Sequence, residues 1–267
     1  MLKDITLGQF FPGKTVVHRL DPRTKLILVI VYIVALFSAK SFVTYGLMLL
    51  TLCGIVAASK IKPKVILRSL KPLLFIICLT GILNLFYTQG DPLVKFWIFT
   101  ITKEGVFSAI YMVLRISMLI TGTFMLTYTT SPIALTDGLE ILLNPLKKIK
   151  VPVHELSMMM CIALRFIPTL IEETDKIMSA QKARGTDFET GKLMDRVKAL
   201  VPILVPLFIS AFRRADELAT AMECRCYHGG EGRTKMKLLR YKRWDLQAYA
   251  VGIVLLVGIF VLGHFGL

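Results

Sequence analysis

TKLILVIVYIVALFSAKSFVTYGLMLLTLCGIVAA, residues 24 to 58, fixes the class of this protein. As one helix rising about 1.5 Å per residue the run would span roughly 50 Å, well beyond a hydrocarbon core of about 30 Å. The polar break at Lys40 and Ser41 divides it into two short crossings. Further apolar runs follow at 73 to 87, which borrows residues from 66 onward, at 104 to 128, which contains Arg115, and from 244 to the end. Five membrane-spanning helices are therefore expected.

Whole-chain composition agrees with that reading. Hydrophobic residues make up 55% of the 267, the mean hydropathy is +0.65 and the formal net charge is +15. Nucleic-acid readers carry their basic patch on a soluble fold, so nucleic acid is not expected as a partner. In a bilayer protein the same excess of cations marks cytoplasmic flanks. Lys3, Lys14, Arg19, Arg23 and Lys25 precede the first span, and Lys60, Lys62, Lys64, Arg68 and Lys71 fill the link between the second and third. Both flanks are assigned to the inside, which puts the N-terminus in the cytoplasm and the C-terminus outside. Three of the five cysteines, Cys53, Cys78 and Cys161, lie in apolar segments and behave as small hydrophobes.

Residues 129 to 243 are too long for a connecting loop and form the candidate functional region. Ser131 and Pro132 open a helix that stops near Asn144 and Pro145. A long helix from about 153 to 184 contains Pro168 and is terminated by Gly185, and a second runs from about 192 to 223. Each has an apolar stretch (156 to 171; 199 to 212) followed by a charged half, as if one end met lipid and the other reached the cytoplasm. The acidic Glu172, Glu173 and Asp175 read as a solvated helix face. Both helices end alike, in QKARGTD (181 to 187) and AMECRCY (221 to 227), with an arginine beside small residues. A terminal arginine has a plain role opposite the helix dipole, but its repetition points to two equivalent contacts with two similar soluble partners, since guanidinium binds carboxylate through paired hydrogen bonds.

GQFFPGKT, residues 8 to 15, fits the phosphate-loop pattern letter for letter. Its setting does not, because only seven residues precede it and Pro22 breaks any helix leaving it. CRCYH, with Cys224, Cys226 and His228, resembles a fragment of a metal site, but no second ligand cluster completes it, and no metal or cofactor is expected. Arg115 is costly inside a span and so marks either an intramembrane polar site or a structural pairing. Asp21 and Arg23 are read as a cap that pins the first span. Met158, Met159 and Met160 form either an adaptable contact surface or ordinary packing.

In order along the chain, HRLDPRTKL (18 to 26), SPIALTDGLEILLNPLKKIKVPVHEL (131 to 156), ALRFIP (163 to 168) and the two arginine motifs resemble the transmembrane T component of energy-coupling factor (ECF) transporters. The resemblance covers essentially the whole chain. It implies an all-α polytopic membrane protein of the prokaryotic cell membrane, with about five transmembrane helices plus long cytoplasmic coupling helices. The domains would be a membrane part at 1–128, a coupling-helix part at 129–243 and a last span at 244–267. It further implies a non-enzymatic scaffold that joins two ABC-type ATPase subunits to a membrane-embedded, substrate-binding S component. Ala183, Arg184 and Gly185 match the first docking motif, and Cys224, Arg225 and Cys226 fall at the second. There the cysteines depart from the family's alanine and glycine, so a helix exit at positive φ would be strained at Cys226. Met158 to Met160 would face the S component. A nickel or cobalt version of the scaffold is the nearer alternative. A self-sufficient secondary transporter is the more distant one, disfavoured by the lack of paired intramembrane acids.

Overall fold

The computed structural model describes residues 10–39, 41–87, 92–96, 99–186, 188, 193–230, 232 and 238–264. Its helices are α1 (Val16–Arg19), α2 (Pro22–Ser38), α3 (Phe42–Ser59), α4 (Pro63–Leu70), α5 (Leu74–Tyr87), α6 (Lys103–Thr129), α7 (Pro132–Leu143), α8 (Val153–Ala183), α9 (Leu193–Glu223) and α10 (Arg243–His264). A short antiparallel pair, β1 (Pro92–Phe96) and β2 (Phe99–Thr102), interrupts the helices before α6, with Phe96 opposite Phe99 and a register shift between Pro92 and Val94. The chain divides into two compact units, residues 8–139 with 239–267, and residues 140–238.

In the first unit α2 packs on α6 and α10, and α3 and α5 pack on α6. Tyr32, Ala35, Leu36, Tyr45, Met48 and Met118 form its main buried cluster. The opposite faces stay apolar and open: Leu50, Phe75, Leu83 and Val254 are all more than half exposed. A water-soluble surface does not carry that much contiguous apolar area, whereas a lipid-facing one does.

Five helical stretches are long and apolar enough to cross a membrane: Phe42–Ser59, Pro63–Tyr87, Lys103–Thr129, Val153–Ala183 and Arg243–Gly263. Four of these coincide with expected spans. The fifth differs. Helix α2 has 17 residues, at the lower end of the crossing range, while α8 qualifies through its apolar first half although the sequence placed it in the insertion.

A buried polar clasp fixes the N-terminus of α2. The Asp21 carboxylate accepts the Arg23 backbone N–H at 3.0 Å and two guanidinium hydrogen bonds, from Nε and Nη2, each at 3.0 Å. The Asp21 N–H donates to Asp245 Oδ1 at 2.8 Å, and Asp245 Oδ2 accepts the Lys242 N–H at 2.7 Å, which is half of a capping box for α10. Arg23 Nη2 also donates to the Leu239 carbonyl at 3.1 Å, and its guanidinium lies 4.2 Å from the Tyr241 ring centre. From the next turn Lys25 Nζ reaches the Thr129 carbonyl at 2.8 Å, at the end of α6. HRLDPRTK is thus a structural knot that ties α2 to the ends of α6 and α10.

Candidate functional site

The phosphate-loop match dissolves in three dimensions. Phe10 to Lys14 form no helix, and Gly8 lies outside the described residues. The Thr15 hydroxyl is 2.7 Å from His18 Nδ1, and His18 Nε2 donates to the Phe11 carbonyl at 3.0 Å. Nε2 therefore carries a proton, and burial, then the charge of Lys25, hold the His18 pKa below the ordinary value. A Cβ at Gly13 would come within 2.7 Å of that ring, so the glycine makes room for the close approach of His18.

The second unit centres on α8 and α9, each 31 residues long. They run antiparallel along most of their length. Met158 and Ile162 of α8 share an open cavity of about 410 Å³ with Leu218 and Met222 of α9. Halfway along, Glu173 accepts from Arg214 Nη2 at 3.0 Å and from the Ser210 hydroxyl. Near the far end Gln181 Nε2 reaches the Pro202 carbonyl at 3.5 Å. Two expectations are corrected by this register. Glu173 is not part of a solvated face but the polar link between the two helices. The apolar half of α8 also lies beside the charged half of α9, so the two apolar ends do not point the same way.

Antiparallel packing sends the two arginine motifs to opposite ends of the pair, on the order of 40 Å apart for helices of this length. The two tips nonetheless close in the same way. At the end of α8, Thr186 N–H bonds the Gln181 carbonyl at 3.1 Å and Gly185 N–H bonds Lys182 at 3.0 Å. At the end of α9, Tyr227 N–H bonds Met222 at 3.1 Å and Cys226 N–H bonds Glu223 at 2.8 Å. Both are Schellman caps, with the arginine at the C-cap and the next residue left-handed: Gly185 at φ +88° and Cys226 at φ +54°. The backbone geometry thus survives the exchange of glycine for cysteine, at a steric cost of about 1 kcal/mol. Cys226→Gly should relieve that cost and slow amide exchange at Cys226 and Tyr227 about fivefold; faster or unchanged exchange there would show that the turn carries no such strain.

Ala183, Arg184, Gly185, Cys224, Arg225 and Cys226 are all exposed. Among the described residues neither Arg184 nor Arg225 has an internal partner, so both guanidinium groups are available to another molecule. His228 Nδ1 donates to the Cys226 carbonyl at 2.7 Å, which turns that ring toward its own backbone. No group of three or more His, Cys, Asp or Glu side chains converges among the described residues.

The other candidates separate. Met159 and Met160 are about half exposed, whereas Met158 turns into the cavity beside Arg225. Arg115 Nε donates to Tyr45 Oη at 2.7 Å and Nη2 to the Ala39 carbonyl at 3.4 Å, next to the ring of Phe37. Ala39 is the C-cap of α2, so Arg115 neutralises a helix C-terminus inside the bundle.

Three features were not found from sequence. One is the Glu173 link. Another joins Glu140 to His154 Nδ1 at 3.1 Å and to the Ser157 hydroxyl at 2.8 Å, fastening the start of α8. The third is that the apolar stretch of α9 is uncovered, with Val201, Val205, Phe208 and Phe212 all at least half exposed and spaced at helical intervals. The stripe was visible as periodicity; the two links needed a register that sequence does not contain.

A helical multi-pass membrane protein that carries a pair of long helices with matched, exposed arginine tips is the class defined here. Residues 13–236 match the family described as cobalt transport protein, CbiQ. Similar curated proteins are named energy-coupling factor transporter transmembrane protein EcfT. That of Ruminiclostridium cellulolyticum is 50% identical over 99% of both chains. That of Thermosediminibacter oceani is 53% identical over 96% of this chain and 97% of its own, and that of Bacillus subtilis 48% identical over 98% and 99%. This chain belongs to the family of energy-coupling factor transporter transmembrane proteins, and is a membrane subunit of a transporter.

Proposed function

We propose that this chain is the scaffold that couples two ABC-type ATPases to a membrane-embedded S component, which captures a vitamin or another micronutrient. Arg184 docks in one ATPase and Arg225 in the other, each guanidinium meeting a carboxylate in a groove that the small neighbouring residues allow the tip to enter. Residues 129–243 are cytoplasmic, α2, α3, α5, α6 and α10 are the spans, the N-terminus is inside and the C-terminus outside. The observation that carries this reading is the pair of identically capped arginine tips, without an internal partner among the described residues, at opposite ends of one helix pair. Two separate motors need two separate sockets, and a long helix pair gripped at both ends passes their approach to whatever packs along its shaft. The Met159 and Met160 surface and the apolar stripe of α9 are suited to that membrane partner, since methionine adapts to different shapes. The role of Arg115 is structural, at the C-terminus of α2.

The name of the matching family, cobalt transport protein, favours a second reading, in which the S component captures a metal ion. Specificity in either case resides in the partner.

Cys224 and Cys226 provide the test. In a Cys53→Ser, Cys78→Ser, Cys161→Ser background, a membrane-impermeant maleimide should label inside-out vesicles and not right-side-out ones, and bound ATPase subunits should protect the thiols. Labelling from the outer face, or labelling that the ATPases leave unchanged, would refute the docking assignment.

A further inference from the structure

KIKPKVILRSLK, residues 60 to 71, holds five cations and no carboxylate. All five, Lys60, Lys62, Lys64, Arg68 and Lys71, are exposed, and none has an internal partner among the described residues. The helix inside this segment, α4, cannot rotate freely. Ile66 is buried in a cluster with Met125 and Tyr128 of α6, and the Ser69 hydroxyl is hydrogen-bonded to Tyr128 Oη. With that face fixed inward, Lys64, Arg68 and Lys71, at helical intervals of four and three residues, share the outer face with Leu67, which is 67% exposed. The same outer surface continues through the 3₁₀ turn Lys71–Leu73 into Leu74 and Phe75, which are 57% and 74% exposed at the start of α5.

We propose that the outer face of α4 is a docking surface for the headgroups of anionic phospholipids. The juxtaposition selects this occupant over an acidic protein or a nucleic acid. Exposed leucine and phenylalanine directly beside three cations match the boundary between hydrocarbon and headgroups, where long basic side chains lay their stems on apolar surface and extend their charge to phosphate. A polybasic segment bordering a span also gains attraction with each cation near an anionic surface. The inference requires only that α5 crosses the bilayer and is independent of the docking assigned to Arg184 and Arg225.

The test uses the full-length chain in nanodiscs, with spin-labelled phosphatidylglycerol and phosphatidylcholine as probes. The wild-type chain should retain phosphatidylglycerol several-fold over phosphatidylcholine at low salt, and the preference should shrink toward one at high salt. Lys64→Gln, Arg68→Gln and Lys71→Gln together should bring the ratio to about one, while Lys147→Gln, Lys148→Gln and Lys150→Gln, which remove the same charge elsewhere, should leave it unchanged. Lys64→Gln alone should lower the ratio part of the way, which keeps the test readable if the triple variant is poorly folded. Equal losses from both triples would mean diffuse attraction to net charge and would overturn the proposal. A preference that survives the α4 triple would do the same and would assign these cations to a protein partner.

Discussion

Arg184→Glu and Arg225→Glu should each, on the docking proposed above, abolish most ATP-driven uptake when the chain is reconstituted with two ABC-type ATPases and an S component. Truncating one partner of a buried, hydrogen-bonded charge pair at an interface costs about 2–5 kcal/mol, or 30-fold and more in affinity, and reversing its sign adds repulsion. The folded state of this chain should be almost indifferent. Neither guanidinium has an internal partner among the described residues, and the caps are made by backbone groups. The residual cost, an acid at a helix C-terminus, is a few tenths to about 1 kcal/mol. The two readouts should then separate. Two tethered contacts bind with an avidity that one can partly sustain, so either single variant should still co-purify with ATPase, and only the double variant should lose it. On the proposed coupling both sockets move together, so uptake should fail in both singles. A single variant with wild-type uptake would remove the docking assignment, whereas loss of uptake with unaltered ATPase binding even in the double variant would place the arginines elsewhere in the cycle. Lys at either position should restore only part of the activity, because a point charge does not reproduce the two-pronged contact.

How far sequence reached follows from what each feature depends on. The break between α2 and α3 was legible because Lys40 and Ser41 interrupt an otherwise apolar run, and the start of α7 because Ser131 stands ahead of Pro132 as a cap, its hydroxyl accepting from the Ala134 N–H at 3.3 Å. The turn at the end of α8 was legible because Gly185 favours positive φ. At Cys226 the same reasoning gave strain, and the structure retains the left-handed turn regardless, since the Schellman bonds to Met222 and Glu223 outweigh it. What stayed hidden is long-range. Glu173 faces Ser210 and Arg214 across 37 and 41 residues, and a helical wheel assigns it to an acidic exterior because its neighbours 172 and 175 are acidic. Helix α4 was merged with the span that follows, because the 3₁₀ turn at Lys71–Leu73 leaves little trace in hydropathy. Hydropathy also cannot separate a spanning helix from one that is apolar on one half, which is why α8 passes the length and composition requirement. The β1–β2 pair lies in the link between α5 and α6, where two short strands leave no trace in a hydropathy reading and are marginal as a unit of structure on their own.

Asp21→Ala should be the most destabilising single substitution in the membrane unit. The Asp21 and Arg23 side chains are 2% and 11% exposed, and the carboxylate accepts three hydrogen bonds from Arg23 while capping α2. Without it the guanidinium keeps, among the described residues, the Leu239 carbonyl and the Tyr241 ring, a buried charge without its counter-ion. Breaking a buried pair on one side costs about 3–5 kcal/mol, within which the lost cap accounts for about 1. For a chain of this size that corresponds to a fall in the unfolding midpoint on the order of 10 °C in detergent or nanodiscs. The cause is distinguishable from lost packing by a second substitution. Asp21→Ala with Arg23→Leu removes the orphaned charge, and should be more stable than Asp21→Ala alone, because the desolvation cost of the pair disappears with it. Additive losses in the double variant would mean that the two side chains stabilise the clasp independently and that the ion pair between them is incidental. Asp21→Asn keeps an acceptor for the Arg23 N–H, so it should fall between wild type and alanine. The order Asp, Asn, Ala, with recovery on removing the arginine, is what a clasp built on charge and capping together requires.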